Sequence, residues 1–487
     1  MYHCSYLDNQ GQYYVTDTVA IPIWLLVLLL SAGAWLALER ILMPSVRWVF
    51  RRKVNQAIGE MNRRLRIQVR PFKLNRRQVL IDRLIYDPEV LETAQRWAHD
   101  NGVPTDVAMI RVQKYAKEIC PSFNAYMYFG IGNWVARRLV RMLYWIRVVY
   151  ADKQGFLDID PRASLVFVLN HRSNIDYLLA TYMVVHHAAL SYAVGEWARV
   201  WPVQQLIRSM GAYFVRRGSG DDLYRKVLAR YVQMAIEGGI IQAVFPEGGL
   251  SRDGRLRRPK LGLVDYMVRS FDPQGERDVV FVPVGINYDR VLEDRTLLIE
   301  RSSEVQEPGK WNALRNTSGF VFNIIRLKVR NRWNRFGYAA VQFGSPISLR
   351  RYCENEHIDF RQYDTDGRFE KVTELADHLM LAVGQLVPAL AVPLIATVVI
   401  RSDENFTELE LKAQVQRRLD TLAIGGGRHL IFEAANSFAL DKAIEMMTIR
   451  HLLVERDGRY RANPDENALI EYYASSIQHL FENRTNS

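Results

Sequence analysis

Cysteine is scarce in this chain: Cys4, Cys120 and Cys353 are the only three in 487 residues. Far apart and odd in number, they give neither a disulfide framework nor a metal-ligand spacing, so no metal is implied, and they suit a catalytic domain on the reducing side of a membrane. Acid is scarce over residues 39–77, where 12 Lys/Arg stand against two acids, in a chain of net charge +11. Charge is absent over residues 19–38, and Lys and Arg are absent over residues 1–18. The chain has no internal repeat and no low-complexity tract. It has no GxxxxGK[ST] and no G-x-S-x-G, which excludes a nucleotide P-loop and a nucleophile elbow. Hydrophobic content of 49% with 24% charged residues excludes a disordered chain.

The 20 uncharged residues 19–38, at about 1.5 Å each in a helix, match the roughly 30 Å of bilayer hydrocarbon and predict one transmembrane helix. Pro22 falls in its first turn, and Trp24 and Trp35 stand near the two interfaces. A secretory signal needs a basic leading region, and Asp8 and Asp17 stand there instead. The positive flank follows the span, at Arg40, Arg47, Arg51, Arg52 and Lys53. By the positive-inside rule the amino terminus faces out, and the catalytic part of a single-pass cell (inner) membrane protein is cytoplasmic. Lying directly after the span, the basic run is read as resting on anionic membrane lipids, with no nucleic acid expected.

Residues 45–150 read as helical, punctuated at Pro71, Asp87-Pro88, Gly102 to Pro104 and Cys120-Pro121. Within them Val135, Leu139, Met142, Leu143, Ile146 and Val149 form one helical stripe and Arg137, Arg138 and Arg141 another. Such a helix either lies in the membrane interface or packs on a neighbouring domain. From about Ala151 short apolar strands alternate with helical stretches, at residues 165–169, 190–194, 212–215, 240–245, 279–284 and 339–343. That alternation predicts an α/β domain with a mostly parallel sheet flanked by helices. Beyond Arg368 the pattern is helical again. Residues 386–400 are apolar but broken by Pro388 and Pro393, and read as buried or interfacial. Two further helices precede a hairpin over residues 452–462 turned at Asp457-Gly458, a winged-helix-like unit too acidic for a DNA reader. The expected organisation is therefore 1–44 tail and anchor, 45–150 basic membrane-proximal helices, 151–368 α/β domain and 369–487 helical C-terminal domain.

The chemistry starts at LVFVLNHRSNIDY. Residues 165–169 are a short apolar run rich in β-branched residues, the pattern of a strand buried on both faces. His171 and Asp176 follow, five apart, a spacing that on one helix turns them about 140° away from each other. If His171 lies in the turn and Ser173 or Asn174 caps the next helix, Asp176 falls in its first turn and reaches back to the imidazole. The pair then forms a His–Asp dyad at the carboxyl end of a strand, where open α/β sheets bind ligands.

Three further segments share this texture. GAYFVRR is a strand delivering Arg216 and Arg217, whose planar forks suit phosphate, although neighbours in a strand face opposite ways. FPEGGLSRDGR follows another strand, and its glycines let backbone N–H groups approach an anion that Arg252 and Arg255 could neutralise. VVFVPVGINYDRVLE is a strand containing Pro283 that could wall an acyl channel or serve as plain sheet core.

In this order and at these intervals, HRSNIDY, GAYFVRR, FPEGGLSRDGR and VPVGINYDRVLE resemble the four motifs of the glycerol-3-phosphate acyltransferase family, the glycerol-3-phosphate/dihydroxyacetone-phosphate branch of the HX4D lysophospholipid acyltransferases. The resemblance runs from about residue 120 to the end, through LLVERDGRYRANPDE. It implies His171 as general base and Asp176 as its orienting partner. It also implies a substrate-binding set around Arg172, Ser173, Arg216, Arg217, Glu247, Gly248, Gly249, Ser251, Arg252 and Arg255, with Pro283 on the acyl channel. The family commonly has arginine after EGG, where this chain has Leu250, so Arg252, Arg255 or Arg172 must cover the charge.

The implied activity is transfer of a fatty acyl group from acyl-CoA or acyl-carrier protein to the first hydroxyl of glycerol 3-phosphate, the first step of phospholipid synthesis, with no cofactor beyond the thioester. The alternatives are acylation of lysophosphatidic acid by the same dyad and, from another class, a membrane-tethered nucleic-acid-binding or scaffolding protein. A covalent acyl-enzyme on Ser173 or Ser251 is the rival mechanism. His186 and His187 are read as surface or core residues.

Overall fold

The computed structural model describes residues 2–7, 13–18, 22–23, 26, 77–124, 127–184, 190–195, 203–216, 218–302, 335–402, 404–424 and 437–482. The expected transmembrane span, apart from Pro22, Ile23 and Leu26, lies outside the described residues, as do the basic run up to residue 76, Arg217, His186 and His187. Among the described residues no helix is long and apolar enough to cross a membrane. The chain divides into two units, residues 1–64 and 65–487. In the first, β1 (Tyr2–Leu7) and β2 (Tyr13–Thr18) pair antiparallel, Tyr2 opposite Thr18.

The second unit begins with α1 (Arg77–Ile85), α2 (Pro88–Asp100) and α3 (Thr105–Ile119). Asp87 caps α2 by accepting the N–H groups of Glu89 and Val90, with Pro88 at the first helical position, where its missing N–H costs nothing. Next come α4 (Asn133–Leu143), β3 (Trp145–Tyr150), β4 (Ser164–Leu169), α5 (Asp176–Val184), β5 (Ser191–Val194) and β6 (Tyr213–Phe214). They are followed by α6 (Asp222–Glu237), β7 (Gln242–Val244), α7 (Gly262–Val268), β8 (Val279–Tyr288), α8 (Asp294–Ser302), β9 (Tyr338–Phe343) and β10 (Ile347–Ser348). All six strands expected from the sequence are present. The sheet order is β3-β9-β8-β4-β7-β5-β6, with β10 pairing β8. Its pairings are parallel except β8 with β9 and with β10.

Side-chain alternation decides what each strand buries. Leu165, Phe167 and Leu169 of β4 and Val280, Val282, Val284 and Ile286 of β8 join one core, while Val166, Val168, Val279 and Phe281 join the core on the opposite face. Helices α1–α3 and α6 cover that second face. The first is covered by α4, α5 and the C-terminal helices α10 (Ala391–Val399), α11 (Glu408–Ile424), α12 (Ser437–Ile449) and α13 (Asn467–Glu482). Every residue of α10 is buried, as its composition required. Helix α9 (Thr365–Gly384) runs through the boundary expected at residue 368, and the first core continues without a break into the C-terminal helices. There a hairpin of β12 (Leu453–Arg456) and β13 (Arg459–Ala462), turned at Asp457-Gly458, is extended by β11 (Phe406–Thr407) into a three-stranded antiparallel sheet.

One expectation is corrected. The apolar stripe from Val135 to Val149 is not one helix: α4 ends at Leu143, Tyr144 is extended (φ −132°, ψ 156°), and residues from Trp145 form β3 beside β9. Ile146, Val148 and Val149 are β-branched, which is unfavourable in a helix and favourable on a pleated sheet. Helix α4 itself packs on its neighbour, with Arg137 and Arg141 over the Tyr182 ring of α5.

His479 on α13 ties that helix to the end of α9, its Nε2 lying 3.0 Å from the Gly384 carbonyl oxygen. Burial lowers its pKa from 6.5 to about 4. Between those values the unfolded chain binds a proton the folded chain refuses, so stability present above pH 6.5 drains away towards pH 4. Denaturant unfolding of the His479→Gln variant should lose roughly 2 kcal/mol less than the parent on going from pH 7 to pH 4.5.

Candidate active site

Strand β4 is followed by Asn170, whose side-chain amide grips β8 with two bonds: Nδ2 donates to the Ile286 carbonyl at 2.9 Å and Oδ1 accepts the Ile286 N–H at 2.7 Å. The chain then turns, and α5 begins at Asp176. The turn winds around one carboxylate. Asp176 Oδ2 accepts the N–H groups of Arg172 (2.7 Å) and Ser173 (3.0 Å) and lies 2.9 Å from His171 Nδ1, while Oδ1 accepts the Tyr288 hydroxyl at 2.5 Å. An ionised carboxylate only accepts, so Nδ1 carries the hydrogen and Nε2 keeps its lone pair. The expected dyad is thus formed, with both side chains nearly inaccessible, at 3% and 0%.

The imidazole is held from its other sides as well. The Phe245 ring lies 4.4 Å away and the Tyr177 ring 5.3 Å, with the Tyr177 hydroxyl 3.4 Å from Nε2. The His171 N–H donates to Glu247 Oε1 at 2.9 Å, and its carbonyl accepts the Ser251 N–H at 3.1 Å. Strand β7 and its glycine loop therefore brace the backbone of the turn that carries His171.

His171 and Tyr177 line a cavity of about 330 Å³ together with Gly195, Arg216, Gly248 and Lys260, and with apolar walls from Leu228, Val244, Phe245 and Leu263. Of the residues the sequence singled out, His171, Arg216 and Gly248 line this cavity, and Asp176 stands behind the imidazole, on its Nδ1 side. Arg216 reaches it with its fork already occupied, bonded to Glu118 at 2.8 and 2.6 Å. This contact raises the Arg216 pKa further.

The others are elsewhere. Arg172 is buried and turned towards α13, with Nη2 donating to the Ser476 carbonyl and Nε and Nη1 without partners among the described residues. Ser173 donates to Glu293 Oε2 at 2.6 Å, and the Ser251 hydroxyl donates to the Arg255 carbonyl at 2.7 Å, so neither serine faces the cavity as a nucleophile would. Glu247 spends both oxygens on the N–H groups of His171 and Arg257. Burial, outweighing the nearby Arg172 charge, raises its pKa. Gly249 is buried off the wall, Arg252 is exposed away from it, and Pro283 is inside β8. Leu250, where the family has arginine, packs on the core. Arg255 points to a different cavity.

Four contributors were not read from the sequence. Tyr288 stands 112 residues from the carboxylate it contacts. Glu293 accepts the Ser173 hydroxyl and the Asn174 N–H, with its pKa raised by burial against the Ser173 bond. Tyr177 follows the dyad directly and carried no signal beyond apolarity. Lys260 reaches the cavity because its N–H bonds the Pro246 carbonyl and its stem lies across Gly248, where a Cβ would come within 2.6 Å of Lys260 Cδ.

Residues 153–287 match the acyltransferase family model, and residues 321–484 match the glycerol-3-phosphate acyltransferase C-terminal region. A glycerol-3-phosphate acyltransferase from Actinobacillus succinogenes is 28% identical over 434 residues, covering 85% of this chain and 51% of that protein. One from Pseudomonas syringae is 27% identical over 452 residues, covering 86% and 51%. The chain thus spans about half the length of the curated relatives it matches. A solved 1-acyl-sn-glycerophosphate acyltransferase from Thermotoga maritima aligns at 18% identity over 52% of this chain and 79% of that one, with a TM-score of 0.29. The two matches lie in one chain, the acyltransferase model first and the glycerol-3-phosphate acyltransferase C-terminal region after it.

Proposed function

We propose that the protein is a glycerol-3-phosphate 1-O-acyltransferase, moving a fatty acyl group from a thioester, acyl-CoA or acyl-carrier protein, to glycerol 3-phosphate to give lysophosphatidic acid. The observation that carries this reading is the His171 Nδ1 to Asp176 Oδ2 contact at 2.9 Å on an imidazole that lines a cavity. A thioester is already an active acyl donor, so the enzyme has to make an alcohol nucleophilic and place it. Nε2 takes the hydroxyl proton as the oxygen attacks the thioester carbonyl, and returns it to the thiolate as the carbon–sulfur bond breaks. Asp176 keeps the hydrogen on Nδ1 and stabilises the imidazolium between the two steps, as in a serine-protease triad with the substrate's hydroxyl in place of serine.

Lys260 is the cavity's cation best suited to the acceptor's phosphate, because Arg216 is committed to Glu118 and Arg225 to Asp222. Lys260→Met should raise the KM for glycerol 3-phosphate about tenfold and change kcat much less, the pattern of lost uniform binding. In steady-state assays following thiol release, the parent protein with acyl-CoA should turn over with glycerol 3-phosphate and not with lysophosphatidic acid. The opposite preference would assign it to the second acylation. We further propose that residues 19–38 anchor the chain in the cell membrane with the amino terminus outside, and that the basic run beyond them rests on anionic lipid.

A further inference from the structure

A second cavity, of about 540 Å³, opens between the tip of the glycine loop and the C-terminal helices, and shares no wall residue with the cavity at His171. Arg255 of the loop, Arg401 just beyond α10 and Arg418 of α11 converge on it, with Thr397 and Ser475 on its floor and Glu471 as the single acid among the described residues of its wall. The burial of Thr397 and Ser475 marks it as a recess in the fold rather than a charged surface.

Several arginines elsewhere in this unit are matched with carboxylates: Arg216 with Glu118, Arg230 with Asp87, Arg368 with Asp265, Arg450 with Asp294. Among the described residues Arg255, Arg401 and Arg418 make no ion pair. The Arg418 guanidinium lies over the Phe481 ring, and its pKa is lowered first by burial and then by the charge of Arg401. A helix end accounts for Arg401, since cations are favoured at the carboxyl terminus. It does not account for Arg418, inside α11, or for Arg255.

Arg255 is held in place. Gly254 has φ +81°, and a Cβ there would come 1.9 Å from the Tyr472 carbonyl oxygen, so the loop tip is docked on the backbone of α13. The Arg255 carbonyl accepts the Ser251 hydroxyl, and its N–H donates to Asp253. Like charges assembled this way repel until an anion completes them.

We propose that Arg255, Arg401 and Arg418 form a binding site for a phosphate monoester, distinct from the acyl-transfer cavity. Three positive charges against Glu471 match a phosphate dianion, and guanidinium forks match its oxygens. The monoester belongs either to a soluble metabolite or to a lipid headgroup. Because one loop carries Gly248 on the first cavity and Arg255 on the second, an anion held here also braces the catalytic turn.

Phenylglyoxal labelling of the full chain, read arginine by arginine by peptide mass spectrometry, tests the proposal. Saturating inorganic phosphate, against chloride at equal ionic strength, should slow labelling of Arg255, Arg401 and Arg418 about tenfold. Protection by phosphatidylcholine vesicles containing phosphatidic acid, and not by free phosphate, supports the site with a lipid as the source. Protection at Arg255 should disappear in the R401Q/R418Q variant. Equal labelling in chloride, in phosphate and with the phosphatidic acid vesicles overturns the proposal. Acyl transfer, assayed separately, decides the proposed activity, so either conclusion can fail without the other.

Discussion

Asp176→Asn is expected to lower kcat for thiol release by about 10²- to 10⁴-fold while leaving the KM for glycerol 3-phosphate nearly unchanged. The carboxylate has two duties that the substitution separates. An amide oxygen in place of Oδ2 can still accept the N–H groups of Arg172 and Ser173, so the turn keeps its shape. It cannot supply the negative charge beside the imidazole when Nε2 takes up a proton. The loss therefore falls on the charged state between proton uptake and proton return, and not on acceptor binding. Steady-state kinetics with circular dichroism as a fold control measure it. Unchanged kcat in a folded variant would remove Asp176 from the chemistry.

Gly285→Ala should lower the unfolding free energy by about 3 kcal/mol or more, at the upper end for forced overpacking. Gly285 sits in β8, where a Cβ would meet the Leu386 carbonyl oxygen at 2.2 Å, its carbon at 2.3 Å and the Val387 nitrogen at 2.6 Å. These are backbone atoms, unable to turn aside as a side chain could, and the crossing segment is pinned by the Asn287 amide on the Pro388 carbonyl. The same strand carries Ile286, gripped by Asn170, and Tyr288, bonded to Asp176. Displacing β8 should therefore reduce activity as well as stability, and equilibrium denaturation with parallel thiol-release assays reads both.

What could be read in advance follows from which signals are local. The apolar run before His171 had to be a doubly buried strand, and it is. Five-residue spacing left the dyad one workable geometry, a turn followed by a helix start, and Asp176 is the first residue of α5. Tyr288 and Glu293 escaped because their partners stand more than 110 residues away, a pairing set by strand order alone. The arginines were visible as charge, but charge carries no direction. Arg172 turns into the core beneath α13, and Gly254 docks the loop tip so that Arg255 faces the second cavity. Lys260 was overlooked because its place depends on a loop folding back over Gly248.

A double-mutant cycle on His171 and Asp176 tests most directly whether these two side chains act as one catalytic unit. With the base removed, its partner has nothing to orient, so the H171A/D176N enzyme should release thiol within about twofold of the H171A rate. If the two losses multiply instead, histidine and aspartate work independently and the proposed dyad mechanism is wrong.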